Sequence, residues 1–483
     1  MSAAPDRRAV VPIDRSRLPA AGTPPPFRFP AIQKSRLANG LDVWTLEHRA
    51  VPVVSLLLLV KCGAPADPPS QEGLAALTLD MLDEGCGDRS AIQMHEALAA
   101  IGAQLDSDIG PDASFIGTTV LSRFADRAVD LLGEMVVRPA LRDDDFARVR
   151  QLRMHRLIQL RDLPSAMAER AFAKLLYAAH PYGHTPLGSE ASLATLNVDD
   201  VRAFHGAELG PPITTLIAAG DCSHAEMVER AQRAFGGWEA RRVERDDTTP
   251  FGDDAARDGV SGLGHPPGYA AWPTPARLNV LVRPGAPQSE LRIGHVAVAR
   301  RTPDYFALLA VNTVLGGQFV SRVNLNLRED KGFTYGARTA FDFRKQAGPF
   351  VLQVSVQTAA TAAAIRESLS EIAAIRGSRP VGADELAVGV AALTRGYARN
   401  FETADQVARA TAQLALYDLP DDYFTQFVPT VEQVTPDEVT RAAERHLRPQ
   451  DLTTLIVGDL EAIRPSLEQL GLGEPHVLSS PIV

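Results

Sequence analysis

The stretch DDVRAFHGAELGPPITTLIAAGD, Asp199–Asp221, returns as DEVTRAAERHLRPQDLTTLIVGD, Asp437–Asp459, and that return decides the fold. Each copy opens on acidic residues that favour a helix start. Each then runs through a helix of similar length, turns at proline, and ends in a TTLI strand closed by Gly-Asp. Another helical segment follows in both, HAEMVERAQRAFGGW in the first and EAIRPSLEQLG in the second. One apolar strand resembles another by chance. Two element types recurring in one order at a nearly constant separation mark a duplicated chain.

A looser match opens both halves. GLDVWTLEHRAVPVVSLLLLV, from Gly40, is a pair of strand-like runs before the apolar helix EGLAALTLDMLDEG, Glu72–Gly85. RLNVLVRPGAPQSELRIGHVAVA, from Arg277, is a second pair before the helix YFALLAVNTVLGG. Asn39-Gly40 and Pro284-Gly285 are turn signals. Val51–Val60 is too short to span a bilayer as a helix, and its β-branched content predicts a buried strand. Between the halves, residues 244–275 are rich in Gly, Pro and Asp and read as a linker. The division is therefore an N-terminal arm at 1–35, a domain at 36–245, a linker at 246–275 and a homologous domain at 276–483. Strands such as DASFIGTTVL and GPFVLQVSVQT alternate in polarity. The expected class is α+β, with two antiparallel sheets, each covered by helices on one face.

Composition narrows the function. A hydrophobic content of 45% and a charged content of 22% are those of a soluble globular protein. The formal charge of −10 argues against a general nucleic-acid binder. Cys62, Cys86 and Cys222 are widely spaced and odd in number, which predicts buried free thiols rather than a disulfide framework or a zinc knuckle. The first thirty residues have no apolar leader core, and Asp6 and Asp14 speak against a transit peptide. The default location is cytoplasmic; an exported protein with its leader removed would read the same way.

Paired strands, an apolar helix, the segment HPYGHTPLGSEASLATL and the second-half block NTVLGGQFVSRVNLNLREDKGFTYGARTAF resemble one family, the insulinase or pitrilysin-type metallopeptidases, also called inverzincins. There the first apolar helix carries H-x-x-E-H. Histidines four apart share one helical face and reach one Zn²⁺, and the Glu acts as general base. On GLAALTLDML the resemblance places Ala76 at the first His, Leu79 at the Glu and Asp80 at the second His. Arg156 stands at the third ligand, a Glu in the family. A lone Asp80 cannot hold tetrahedral zinc, so no metal site is expected in this chain. The opposite charges of Asp80 and Arg156 raise the expectation of a salt bridge; the alternative is Arg156 solvated on a basic helix with Arg148, Arg150, Arg153 and Arg161. That helix, from Asp143 to Asp162, reads as a solvated face, a chamber lining or an anion site. His180 and His184 are close in sequence, but Pro181 and Gly183 make their segment a structural turn.

In the second half the resemblance transfers Arg328 and Tyr335 as hydrogen-bond donors to a bound peptide's carbonyl. Gly316 and Gly317 become a loop whose backbone N–H groups a peptide can approach. The residues alone leave another reading open, with the glycines capping a helix and Arg328 paired to Glu329 or Asp330. In the two-chain branch of the family, such as mitochondrial processing peptidase, one subunit carries H-x-x-E-H and the other the Arg/Tyr pair. The resemblance therefore implies a non-catalytic, substrate-binding subunit, its two domains forming half of a clam-shell chamber. The expected partner is an H-x-x-E-H-bearing subunit with zinc, in a heterodimer that acts on peptides. No membrane span and no nucleic acid are implied. The competing reading is a structural or peptide-binding scaffold without proteolysis.

Overall fold

The computed structural model describes residues 27–239 and 275–479, together with Ser16 and Gly22. Most of the expected arm and all but the last residue of the expected linker lie outside the described residues. The first sheet has the order β1-β2-β6-β3-β5-β4, formed by Gln33–Arg36, Asp42–Glu47, Thr214–Gly220, Val53–Val60, Ser114–Leu121 and Asp106–Ile109 respectively. The second has the order β12-β7-β11-β8-β10-β9, formed by His476–Val477, Leu278–Val282, Thr453–Gly458, Gln288–Val298, Gly348–Gln357 and Ala337–Phe341.

The repeated TTLI strand holds the same place in both. In the first sheet β6 runs parallel to β2 and antiparallel to β3; in the second, β11 runs parallel to β7 and antiparallel to β8. The strands β2 and β3, and likewise β7 and β8, are thus not neighbours, because a strand from the far end of the half separates them. The class is α+β with two similar halves, as expected, but the sheets are mixed rather than purely antiparallel. The Asn39-Gly40 turn joins β1 to β2, with Gly40 at a φ of +96° and its N–H on the Leu37 carbonyl at 2.9 Å. β1 already starts at Gln33, so the sheet takes in the last residues of the expected arm.

One face of each sheet packs on helices of its own half. Leu56, Leu58, Leu216 and Ala218 form one core with the helices Ala125–Val137 and His224–Phe235. Leu291, Ile293 and Ile456 form another with the helices Thr361–Ala374 and Leu460–Leu467. The opposite faces are covered too, and the cover is exchanged. Leu57, Leu59 and Ile217 of the first sheet pack on the helix Ala404–Tyr417 from the second half. Leu455, Val457 and Val296 of the second sheet pack on Phe172 and Leu176 of the helix Pro164–Tyr177 from the first half. Single-face coverage is therefore corrected. With both faces buried, β3 has no solvent side on which to place polar residues, which is why Leu56–Val60 is continuously apolar.

The helix Tyr305–Asn312 lies in the second core and continues through a π-helical turn at Thr313–Gly317. After a short break, residues Arg322–Asn324 resume it and a second π-turn, Leu325–Asp330, ends it. The stretch Tyr305–Asp330 has the length and apolarity of a membrane span, but more than half of its most apolar window is buried inside the protein, as in a core helix.

Candidate functional site

The helix Leu74–Asp80 begins at Gly73, whose φ of +96° bars most side chains. Its start is capped from upstream. The Asp67 carboxylate, fully buried, accepts the N–H groups of Gly73 and Ala75, each at 2.6 Å. His184 Nε2 holds that carboxylate at 3.1 Å and also meets the Ala64 carbonyl. Gly188 abuts Glu72 and Gly73 so closely that a Cβ on it would lie 2.2 Å from the Glu72 carbonyl oxygen. The segment after His180 thus clamps the N-terminus of this helix.

Ala76 and Leu79 are both buried in protein, and Asp80 is 38% exposed at the helix end. Its partner is Arg153, not Arg156: Arg153 Nη1 meets Asp80 Oδ2 at 2.5 Å, and Nη2 donates to the Pro186 carbonyl at 2.8 Å. Arg156 is exposed on the same helix, Asp143–Arg161. Three residues along an α-helix shift a side chain by about 4.5 Å and turn it about 60° off the facing side. The expected Asp80–Arg156 bridge is therefore corrected by one turn. Much of the basic helix is a solvated face, Arg156 included, but several of its arginines also have partners. Arg148 pairs with Glu84, Arg150 donates to the Leu196 carbonyl at 2.9 Å, and Arg161 lies 3.7 Å from Glu190.

Zinc does not fit here. Two of the three helix positions offer only carbon, the third carboxylate is already bound to a guanidinium, and a dication beside Arg153 would be repelled. Among the described residues no group of three or more His, Cys, Asp or Glu side chains could hold a metal ion. His180 is engaged elsewhere: its Nδ1 accepts the Tyr182 N–H at 3.0 Å and its Nε2 meets Gln346 Oε1 at 3.0 Å. Burial pushes its pKa down. It belongs to a clasp between the halves, in which the Asp112 carboxylate accepts Tyr182 O–H at 2.5 Å and Lys345 N–H at 2.8 Å. Burial raises the pKa of Asp112 against those two hydrogen bonds.

In the second half Arg328 sits in the terminal π-turn. Its guanidinium carbon lies 4.0 Å from the centre of the Phe319 ring, and its Nε is 3.6 Å from Glu329 Oε1. Tyr335 is 95% exposed. The frame between them is Asn324, a residue the sequence reading missed. Its buried amide donates to the Ala337 carbonyl at 2.6 Å and accepts the Ala337 N–H at 2.9 Å, as a neighbouring strand would. The same amide donates to the Gln318 carbonyl at 3.2 Å. It ties the start of β9, the loop holding Phe319 and the helix holding Arg328 into one unit. The two glycines close the π-turn Thr313–Gly317 and differ from each other. Gly316 is buried, and a Cβ there would lie 2.7 Å from Thr339, so its place is set by packing against β9. Gly317 is exposed. Such a side-chain frame leaves no periodic trace in the sequence; only the unusual polar pair Asn324 and Asn326 in an apolar helix signals it.

Residues 43–189 match the family model described as Insulinase (Peptidase family M16), and residues 195–393 match the model described as Peptidase M16 inactive domain. An "Uncharacterized zinc protease" of Mycobacterium tuberculosis (strain ATCC 25618 / H37Rv) is 24% identical over 442 residues, 91% of this chain and 96% of that protein. A protein of the same description from Rickettsia bellii (strain RML369-C) is 26% identical over 201 residues, 42% of this chain and 49% of its own length. This chain thus spans about half of the rickettsial relative. Two solved structures share the fold. A peptidase M16 inactive domain from Pseudomonas fluorescens has a TM-score of 0.76 at 22% identity, covering 89% of this chain and 98% of that one. A protease from Helicobacter pylori has a TM-score of 0.77 at 17% identity, covering 89% and 99%. Two models of one family, matched in succession, account for more than two-thirds of the sequence, and the chain belongs to the insulinase (M16) peptidase family.

Proposed function

We propose that this chain is the non-catalytic, substrate-binding subunit of a heterodimeric zinc metallopeptidase that acts on peptides. The observation that supports this most is the exposure of Tyr335, seven residues after Arg328 in a segment framed by Asn324. In the first half, by contrast, the corresponding zinc positions are filled by apolar side chains and an ion pair. A large phenol left 95% exposed gains nothing for the fold. It is useful to a group arriving from outside, such as a peptide carbonyl whose oxygen gains negative charge during hydrolysis. The zinc, and the residues that hold it, belong to the partner, which closes the other half of the chamber. The relatives described as zinc proteases, and the match of residues 195–393 to an inactive domain, are consistent with a chain that works beside a catalytic one.

The experiment is recovery of the tagged chain from its native cells with whatever accompanies it, followed by zinc analysis and peptide turnover of the complex. A stoichiometric H-x-x-E-H partner and zinc in the complex are expected. Tyr335→Phe should then slow turnover on the order of 10- to 100-fold, the worth of one oxyanion hydrogen bond, with assembly unchanged. An undiminished rate refutes the assignment and leaves a peptidase fold used as a scaffold.

A further inference from the structure

We propose that Phe319 is a positioning residue for Arg328: its ring fixes the plane of the guanidinium so that the terminal nitrogens face a peptide carbonyl or carboxylate. The proposal rests on the substrate-binding reading above and adds to it a residue outside the family-derived pair.

Phe319 is 64% exposed, although an aromatic ring normally gains most from burial. One of its faces carries the guanidinium, at 4.0 Å. The Arg328 side chain is itself only 31% exposed, so the ring shields it on one side. A guanidinium is planar, with all its donors in the plane. Stacking therefore occupies a face and leaves the hydrogen-bonding edge open, whereas an ion pair would consume the edge. Here the ion pair recorded is Nε to Glu329 Oε1, a loose 3.6 Å. The two terminal nitrogens have no protein acceptor among the described residues. The backbone beneath the ring is held as well: Gln318, its neighbour, gives its carbonyl to Ser321 N–H at 3.2 Å and to the Asn324 amide at 3.2 Å. That same amide fixes Ala337, two residues after Tyr335. Ring, guanidinium and phenol thus stand on one rigid support, which lowers the cost of ordering Arg328 when a ligand arrives.

The substitutions Phe319→Leu and Phe319→Trp separate stacking from mere apolarity, and at an exposed position neither threatens the fold. In the isolated full chain, modification of Arg328 by phenylglyoxal, followed by peptide mapping, should be several-fold faster in Phe319→Leu and near the wild-type rate in Phe319→Trp. In the active complex, Phe319→Leu should lower kcat/KM roughly two- to fivefold, the scale of one exposed cation–π contact. It should have no further effect in an Arg328→Gln background. Equal modification rates in wild type and Phe319→Leu would overturn the proposal. So would a Phe319→Leu defect that persists undiminished when Arg328 is already Gln, since the ring would then act on the ligand directly. If Arg328→Gln leaves turnover intact, the substrate-binding reading fails, and the modification rates still decide the stack.

Discussion

Exchange of the two covering helices makes a sharp prediction about how damage travels. Phe146 and Phe172 are both buried phenylalanines on successive helices of the first half, yet they serve different sheets. Phe146 belongs to the cluster with Leu74, Leu77 and Phe204; Phe172 belongs to the one with Leu281, Leu455 and Val457. Truncating either to Ala removes a buried ring and leaves a cavity, at a cost of about 3–5 kcal/mol. That is a large share of the stability of a typical protein. Expressed as local opening, 3–5 kcal/mol accelerates amide exchange by roughly 10²–10³-fold or more. Hydrogen-exchange mass spectrometry should find Phe146→Ala loosening peptides around Leu74–Asp80 and Val198–Glu208. Phe172→Ala should instead loosen β8 and β11, more than a hundred residues away in the sequence. If Phe172→Ala leaves β11 at its wild-type exchange rate and loosens only the first sheet, the interlock carries no stability and the reasoning is wrong.

The buried His295 makes stability depend on acid. Its Nδ1–H donates to the Val296 carbonyl at 2.8 Å and its Nε2 accepts the Arg448 N–H at 3.2 Å, so both ring nitrogens are used in the neutral form. Burial, with Arg448 nearby, lowers its pKa from 6.5 to about 4. The unfolded chain therefore binds more protons between those values, and stability present above pH 6.5 is lost as pH falls towards 4, by about 3 kcal/mol from this group. Urea midpoints measured from pH 7 to 4 should fall, and should fall less in His295→Gln; equal slopes would exclude the assignment. Asp67→Ala, which orphans the N–H groups of Gly73 and Ala75, should cost about 1–3 kcal/mol in thermal unfolding, and no loss would mean the cap is dispensable. Burial pushes the Cys86 thiol up to about 12 and the Cys222 thiol to about 11. Native protein should accordingly resist iodoacetamide at pH 8 until unfolded, and rapid native labelling of either would contradict their burial.

What could be read from the sequence divides along a physical line. The duplicated TTLI strand, the turn at Asn39-Gly40 and the buried run at β3 are local patterns, and each stands where the residues predicted it. The exchange of the helices Pro164–Tyr177 and Ala404–Tyr417 was not legible. An amphipathic helix declares that it has an apolar face but not which sheet that face meets. SLLLLV contained the clue, since a strand without alternation must be covered twice, but the clue does not name the second cover. The Arg153–Asp80 pair was missed for a related reason. Spacing along the chain located the right helix, but choosing between Arg153 and Arg156 requires the rotation of that helix about its axis.

The same line runs through the candidate site. In the first half, polar groups around the helix Leu74–Asp80 are committed to one another: Asp80 to Arg153, Glu84 to Arg148, His184 to Asp67. Such commitments stabilise the helix Leu74–Asp80 without leaving donors for a ligand. In the second half the inward commitments are made by different residues, Asn324 to Ala337 and Arg322 to Glu385. Because those residues carry the structural load, Tyr335 is free of it. A side chain that is neither buried nor paired, on a backbone held by its neighbours, can be substituted without unfolding the chain. Loss of function at Tyr335 with full retention of stability is therefore the outcome that separates a binding site from a relic, and a substantial drop in melting temperature for Tyr335→Phe would place this residue among the supports instead.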